Sequence, residues 1–239
     1  MKERLDKILT DKKLVASRSQ AKSFIEKGDV TVNGTVIKKA GELIDPFATI
    51  EIHSEQFVGR GAFKLKKALE EFNVNVKDKI FLDVGASTGG FTEVLLNEGA
   101  LKVYAIDVGR DQLAAKLRSD DRVINMEGTN IKDVSSLPVK ADGAVMDLSF
   151  ISITKVLPAV KELLKPSGFL IALVKPQFEV GPQRLPKDGV VKDETLRQEI
   201  LKEITEFATN SGWTHKHSIV SPIEGKSGNV EYLSYFIRD

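Results

Sequence analysis

Five apolar runs set the terms on which this chain can fold. IFLDV, LKVYAIDV, RVINM, GAVMDL and FLIALV recur between residues 80 and 174, with stretches of helical or turn character between them. Strand candidates that alternate with helices predict βαβ units and a parallel sheet. The last run is apolar throughout, as a strand covered on both faces is. A basic amphipathic helix over 62–72 precedes the series, and another helix over 194–210 follows it. THKHSIVSPI and VEYLSYFI come last with no clear helix between them, so they are expected to pair antiparallel and close one edge of the sheet. The expectation is an α/β fold, Rossmann-like and mostly parallel.

The first fifty residues have a different rhythm. Helices are expected over 2–9, where Leu5, Ile8 and Leu9 share a face, and over 17–27, where Ala21, Phe24 and Ile25 do. Ser17 or Ser19 caps the second helix and Gly28 ends it. VTVNGTVI then alternates around Asn33-Gly34, a strong short-range hairpin signal. ATIEIH over 48–53 adds a strand, and SEQFVGRG over 54–61 reads as a connector. Together these give a small α+β unit over residues 1–55, a linker over 56–60 and the α/β domain over 61–239. A core as small as that of the first unit is marginal alone.

Composition excludes several classes. The chain has 239 residues and no cysteine, so it has neither a disulfide framework nor a thiolate metal site. No apolar run approaches the ~20 residues that cross a bilayer, and MKERLDKILTDKK does not read as a signal peptide. A cytoplasmic protein is expected. Net charge is only +1, yet residues 1–28 carry eight Lys/Arg against four Asp/Glu, and RGAFKLKK over 60–67 adds four cations and no acid. Local basic segments of this kind suit phosphate contacts.

FLDVGASTGGFTEVLL over 81–96 is a strand, a glycine turn and a helix. Gly85 permits the sharp turn, and Gly89 and Gly90 permit close backbone approach. The turn as a whole (Asp83, Gly85, Ala86, Ser87, Thr88, Gly89, Gly90) is the candidate cofactor cradle. Asp107 ends the next strand, where it can accept both hydroxyls of a ribose. That pairing suits S-adenosylmethionine (SAM) or a dinucleotide. GASTGG departs from the dinucleotide pattern GxGxxG, and the lysine of an ATP-binding P-loop is missing. Asn130, after the third strand, is the candidate for contact with an adenine.

RLDKIL…SRSQAKSFIEKGDVTVNGTVI resembles the S-four-type (αL) RNA-binding domain, through Ser17-Arg18, Gly28, Val30, Val32-Asn33-Gly34 and Lys38. The resemblance implies RNA recognition along the second helix by Arg18, Lys22 and Lys27. DVGASTGGFTEVLL, YAIDVGRDQL, DLSFISI and LVKPQFEVG, in that order, resemble the TlyA family of FtsJ-related, SAM-dependent RNA ribose methyltransferases. That family's targets are cytidine riboses of ribosomal RNA. The resemblance implies a Lys–Asp–Lys–Glu catalytic tetrad, matched here by Lys64, Asp147, Lys175 and Glu231, and no metal. Family members with short termini act on large-subunit RNA, which is the expectation for this chain.

The tetrad also makes physical sense from the residues. Asp147 and Lys175 fall at the carboxyl ends of parallel strands, where doubly wound sheets bind ligands. Glu231 opens the last, antiparallel strand and so starts at the same edge, and Lys64 begins the preceding helix. Methylating a ribose 2′-OH requires the hydroxyl to be aimed at the methyl group and its proton accepted. Lys175 is the candidate for general base or for orienting group. Amine-methylating nucleic-acid enzymes commonly carry D/N-P-P-F/Y where this chain has DLSF, and Leu148-Ser149 in place of the prolines favours an oxygen target. Phe150 either packs near substrate or belongs to the core.

Further phosphate contacts are assigned to Arg60, Lys66 and Lys67, and to Arg184, Lys187 and Lys192 in the loop over 178–193. The partner is ribosomal RNA or a ribosomal subunit, with no stable membrane association. Two rival readings are a membrane-active hemolysin, the name many family members carry, and a catalytically silent protein that binds RNA and SAM.

Overall fold

The computed structural model of the protein describes residues 2–52, 57–225 and 227–239. The chain divides into two compact units, Met1–Phe57 and Val58–Asp239.

In the first unit, strand β1 (Glu3–Arg4) leads into helix α1 (Leu5–Asp11), followed by α2 (Arg18–Lys27). The helix expected from residue 2 starts only at Leu5, because Glu3 and Arg4 pair antiparallel with residues 43–44. Ser17 caps α2 by accepting from the Gln20 backbone N–H at 3.2 Å, and Gly28 closes it at φ +86°. Strands β2 (Val30–Val32) and β3 (Thr35–Val36) form the expected hairpin. Asn33 and Gly34 both have positive φ, +47° and +78°, as a two-residue type I′ turn requires. β4 (Leu43–Ile44) pairs with β1, and β5 (Ile50–Ile52) pairs with the other edge of β2. The strand expected over 48–53 is thus shorter, and His53 lies outside the described residues, as do positions 54–56 of the expected connector. Leu5, Ile8, Leu9, Phe24, Ile25 and Val30 make the core of this unit.

In the second unit, α3 (Ala62–Glu71) precedes β6 (Ile80–Val84), α4 (Gly90–Asn97), β7 (Lys102–Asp107), α5 (Ala115–Arg118) and β8 (Val123–Glu127). Then come β9 (Ala141–Met146), α6 (Leu157–Leu163), β10 (Leu164–Val174), α7 (Pro176–Glu179), α8 (Glu194–Asn210), β11 (Trp213–Val220) and β12 (Tyr232–Arg238). The seven strands form one sheet in the order β11-β12-β10-β9-β6-β7-β8. The five strands from β10 to β8 are parallel, while β12 runs antiparallel to both β10 and β11. This is the mostly parallel, Rossmann-like sheet with a terminal antiparallel pair that the sequence predicts.

Strand order reverses at β6, which pairs with β7 on one side and β9 on the other. Ligands of open α/β sheets bind beyond the carboxyl ends of the strands at such a switch point. Leu82, Met146, Leu170, Ala172, Ile200 and Trp213 are among the buried residues of the core. Glu231 falls one residue before β12 rather than inside it. Its position is nonetheless fixed, because Tyr232 pairs with Val174 and so sets Glu231 beside Lys175. Pro176 does not open a loop directly but begins the one-turn helix α7. The following segment is pinned by buried Asn229, which accepts from Val191 N and donates to Gly189 O, both at 3.0 Å.

Candidate active site

The glycine turn closes on the neighbouring strand ends. Gly85 has φ +88°, and a Cβ there would lie 2.5 Å from the Asp147 carbonyl oxygen. A Cβ on Gly89, at φ +94°, would overlap Leu117 and Leu113. Gly85 therefore excludes a side chain by backbone conformation and by space, while Gly89 excludes one chiefly by backbone conformation, since the leucine ends could shift. Gly90 begins α4, and a Cβ on it would press on Ala62 N at 3.1 Å and Gly59 O at 3.2 Å. Residues 59–62 thus lie against the turn, and Val58 N donates to buried Glu93 Oε2 of α4 at 2.6 Å. Ala86 is buried, whereas Ser87 and Thr88 are exposed at the tip.

Two acids support this turn. Half-buried Asp107, at the end of β7, accepts from Ser87 N at 2.8 Å and from Gly109 N at 2.7 Å. Asp83 is fully buried, and Thr92 Oγ1 donates to its Oδ2 at 2.6 Å. Its Oδ1 has no partner among the described residues. Burial pushes the Asp83 carboxyl up to about 7, against the pull of the Thr92 hydrogen bonds and helped by the negative charges of Asp147 and Asp107. Half-buried Asn130 caps a short 3₁₀ turn by accepting from Lys132 N at 3.1 Å through its side-chain oxygen.

The four residues of the expected tetrad come together as two ion pairs. Lys64 Nζ lies 2.6 Å from Glu231 Oε2, and both side chains are buried. Lys175 Nζ lies 2.6 Å from Asp147 Oδ1, and Asp147 is the more open of the four at 24 % side-chain exposure. Residues separated by up to 167 positions in the chain meet here at the carboxyl edge of the sheet. Pairing accounts for a buried lysine just past the end of core strand β10, since a buried ammonium without a carboxylate would be strongly disfavoured.

Two further side chains complete the pairs, and sequence reasoning missed both roles. Ser149 Oγ accepts from Lys175 Nζ at 3.0 Å. Gln177 Nε2 donates to Glu231 Oε1 at 3.2 Å. The available signal was proximity: Ser149 follows Asp147 by two positions, and Gln177 follows Lys175 by two. Phe150 is 90 % exposed at φ +65°, so it is not a core residue. Its ring lies 5.0 Å from that of Phe178, which in turn lies 5.7 Å from Lys175 Nζ.

Most of the residues expected to contact phosphate are tied to acids. Arg18 pairs with buried Asp6 at 3.1 Å, beside Arg4. These two guanidinium groups hold Asp6 down at about 2, mainly through the Arg4 hydrogen bonds. Lys22 pairs with Glu26, Lys67 with Glu71, Arg184 with Glu203 and Lys192 with Asp188. Arg60, Lys27 and Lys187 are exposed, and Lys66 is half-buried. The pairs of Lys22, Lys67, Arg184 and Lys192 are exposed on both sides, and exposed pairs are weak.

The FtsJ-like methyltransferase family matches residues 57–238, the whole of the unit that carries this site. The chain belongs to that family. The S4 domain family matches residues 3–50. The 16S/23S rRNA (cytidine-2′-O)-methyltransferase TlyA of Mycobacterium tuberculosis is 43 % identical over 235 residues, which cover 96 % of this chain and 88 % of that one. Hemolysin A of Brachyspira hyodysenteriae is 41 % identical over 238 residues, 98 % of this chain and 99 % of its own length. A solved hemolysin-named structure from Streptococcus thermophilus shares 41 % identity and superposes with a TM-score of 0.76, over 99 % of this chain and 88 % of that chain.

As an FtsJ-like methyltransferase, the chain has a glycine turn and two lysine–carboxylate pairs at the carboxyl edge of the parallel strands. The turn has the features of a nucleoside-binding cradle: glycines where side chains cannot fit, and a strand-end acid beside them. The pairs place two cations and two anions next to that cradle, which suits moving a proton from an alcohol. Among the described residues no group of three or more acid or histidine side chains is arranged to hold a metal ion, and no helix is long and apolar enough to cross a membrane.

Proposed function

We propose that this chain is a ribosomal RNA methyltransferase that moves a methyl group from SAM to a ribose 2′-OH, with cytidine as the target nucleoside. The observation that carries this reading is the Lys175–Asp147 pair at 2.6 Å, set beside the glycine turn and backed by the Lys64–Glu231 pair. A buried lysine just past the carboxyl end of a core strand, at the ligand edge, is the group an alcohol substrate needs and a structural strand does not.

SAM supplies an electrophilic methyl on a sulfonium when bound. The residues fit it: the Gly85–Gly90 turn makes room for the backbone to approach a nucleoside, Asp107 would receive the ribose hydroxyls, and Asn130 would offer its amide nitrogen to the adenine. Asp83 holds the turn from below through Thr92. Lys175 aims the target hydroxyl and takes its proton, Asp147 stabilises the ammonium so formed, and Glu231 holds Lys64 in place at the same edge.

The domain division proposed is an S4-type RNA-binding unit over 1–55, a linker over 56–60 and the methyltransferase over 61–239. The first unit docks folded ribosomal RNA through Arg18, Lys22 and Lys27, while Arg60, Lys66, Lys67, Arg184 and Lys187 add phosphate contacts around the second. The exposed ion pairs at these residues open in favour of RNA phosphates. The substrate places the protein in the cytoplasm, with a ribosomal subunit as its partner and no metal required for alkyl transfer.

The test is transfer of tritiated methyl from SAM to ribosomal subunits, followed by mapping of ribose-methylated nucleotides. Methylation of a cytidine 2′-oxygen is the expected result, and no incorporation into any ribosomal RNA would sink the reading. The hemolysin name of some relatives gives the second reading its place. SAM-independent leakage of liposomes by the pure protein would favour it.

A further inference from the structure

The Lys175 amine is held by two partners, not one. Its Nζ lies 2.6 Å from Asp147 Oδ1 and 3.0 Å from Ser149 Oγ. Beyond Cε, a lysine nitrogen has three tetrahedral positions. In the ion pair all three carry hydrogens; once the ammonium has given one of them to solvent, two are hydrogens and one is a lone pair. Asp147 can only accept while ionised, so it takes one hydrogen. Ser149 accepts the second, which leaves a single direction for the lone pair. We propose that Ser149 is a positioning residue for methyl transfer, acting through Lys175 by occupying its second N–H so that the lone pair faces the target hydroxyl.

Three features favour this role over a chance surface contact. Ser149 is exposed while Lys175 is buried, so the bond ties the buried amine to a solvent-facing residue. Phe150, the next residue, holds φ at +65°, a backbone state that a bulky residue rarely adopts and that clusters at functional sites. The turn that presents Ser149 is therefore held by its surroundings and is not a relaxed loop. The hydroxyl also remains a donor after accepting from Lys175, so it needs no second protein partner to be satisfied.

The step balances with these groups. A bond forms between the ribose 2′-oxygen and the methyl carbon, and the carbon–sulfur bond breaks with its electron pair going to sulfur. The hydroxyl proton goes to the Lys175 lone pair, giving an ammonium with three N–H groups. Asp147 and Ser149 keep two of these, and the third faces the methylated product.

This inference rests on the proposed methyltransferase reading, and its test separates the two. Ser149→Ala and Ser149→Thr are compared with the unaltered full-length chain in single-turnover methyl transfer to ribosomal subunits, together with KM for the RNA and Kd for SAM. The alanine variant is expected to slow transfer by about tenfold, the effect of one such hydrogen bond, with KM and Kd unchanged. The threonine variant, which keeps the hydroxyl, is expected to stay within about twofold of the unaltered rate. Because Ser149 is exposed, thermal melting of both variants should match the parent. A full rate in the alanine variant, a raised KM at unchanged rate, or a threonine variant as slow as alanine would each overturn the role. A parent protein that transfers no methyl group defeats the broader reading instead.

Discussion

Asp83 should make the stability of the larger unit depend on pH in an unusual direction. Its carboxyl is fully buried, one oxygen has no partner among the described residues, and its folded-state value is pushed from 3.8 to about 7 by burial. The protonated form is therefore bound more tightly when folded than when unfolded. The associated stability is fully present below about 3.8 and is lost as pH rises towards about 7. A rise of about three pKa units at about 1.4 kcal/mol each gives a loss on the order of 4 kcal/mol across that window. Asp83→Asn cannot titrate, so it removes this dependence. Between about pH 5 and about pH 8 the stability of the parent should fall relative to the variant by about 3 kcal/mol.

Urea unfolding at a series of pH values measures this directly. Trp213 is the only tryptophan and is fully buried in β11, so its fluorescence reports the larger unit. Subtracting the variant's curve from the parent's cancels the titration of groups that do not interact with Asp83. Any constant offset from the new amide leaves the slope untouched. Parallel curves over the whole range would refute the argument, because they would mean that Asp83 keeps one protonation state throughout.

Other consequences follow from the same geometry. Lys175→Ala should lower the methyl-transfer rate by about 10²–10⁴-fold while SAM binding, read by calorimetry, persists. Lys64→Met leaves Glu231 buried without its ammonium partner and should destabilise the larger unit by about 3–5 kcal/mol in the same urea assay. Gly85→Ala meets the Asp147 carbonyl at 2.5 Å and a φ of +88°, so it should abolish SAM binding in calorimetry and lower the melting temperature. Arg18→Ala should weaken binding to ribosomal RNA whatever its sequence and reduce the slope of log affinity against log salt by about 1 in filter-binding titrations.

Much of this was legible in local sequence, and the parts that were not share a cause. Hairpins and helix ends are written in neighbouring residues, so Asn33-Gly34 and Gly28 could be placed from the chain alone, while the cap was narrowed to Ser17 or Ser19 and the structure chose Ser17. The start of α1 could not, because Glu3 and Arg4 are claimed by β4, some forty residues away. Phe150 left two readings open, since an apolar side chain after a strand packs inward or outward depending on a turn whose φ the sequence does not state. The basic residues were visible as charge, but their pairing with Asp6, Glu26, Glu71 and Glu203 depends on which side chains become neighbours.

Strand alternation and the glycine turn, both short-range patterns, determined the fold class and the edge of the sheet at which a ligand must bind. The identity of the four tetrad residues was reached by resemblance and by strand-end position. Only the tertiary structure decided that they form two separate pairs, Lys64 with Glu231 and Lys175 with Asp147, and that Gln177 and Ser149 complete them. The physical reason is register: Val174 opposite Tyr232 sets Lys175 beside Glu231, and Met146 opposite both Val84 and Ala172 sets Asp147 between the glycine turn and that lysine. Hydrogen bonds between strands fix that register over distances no local pattern spans.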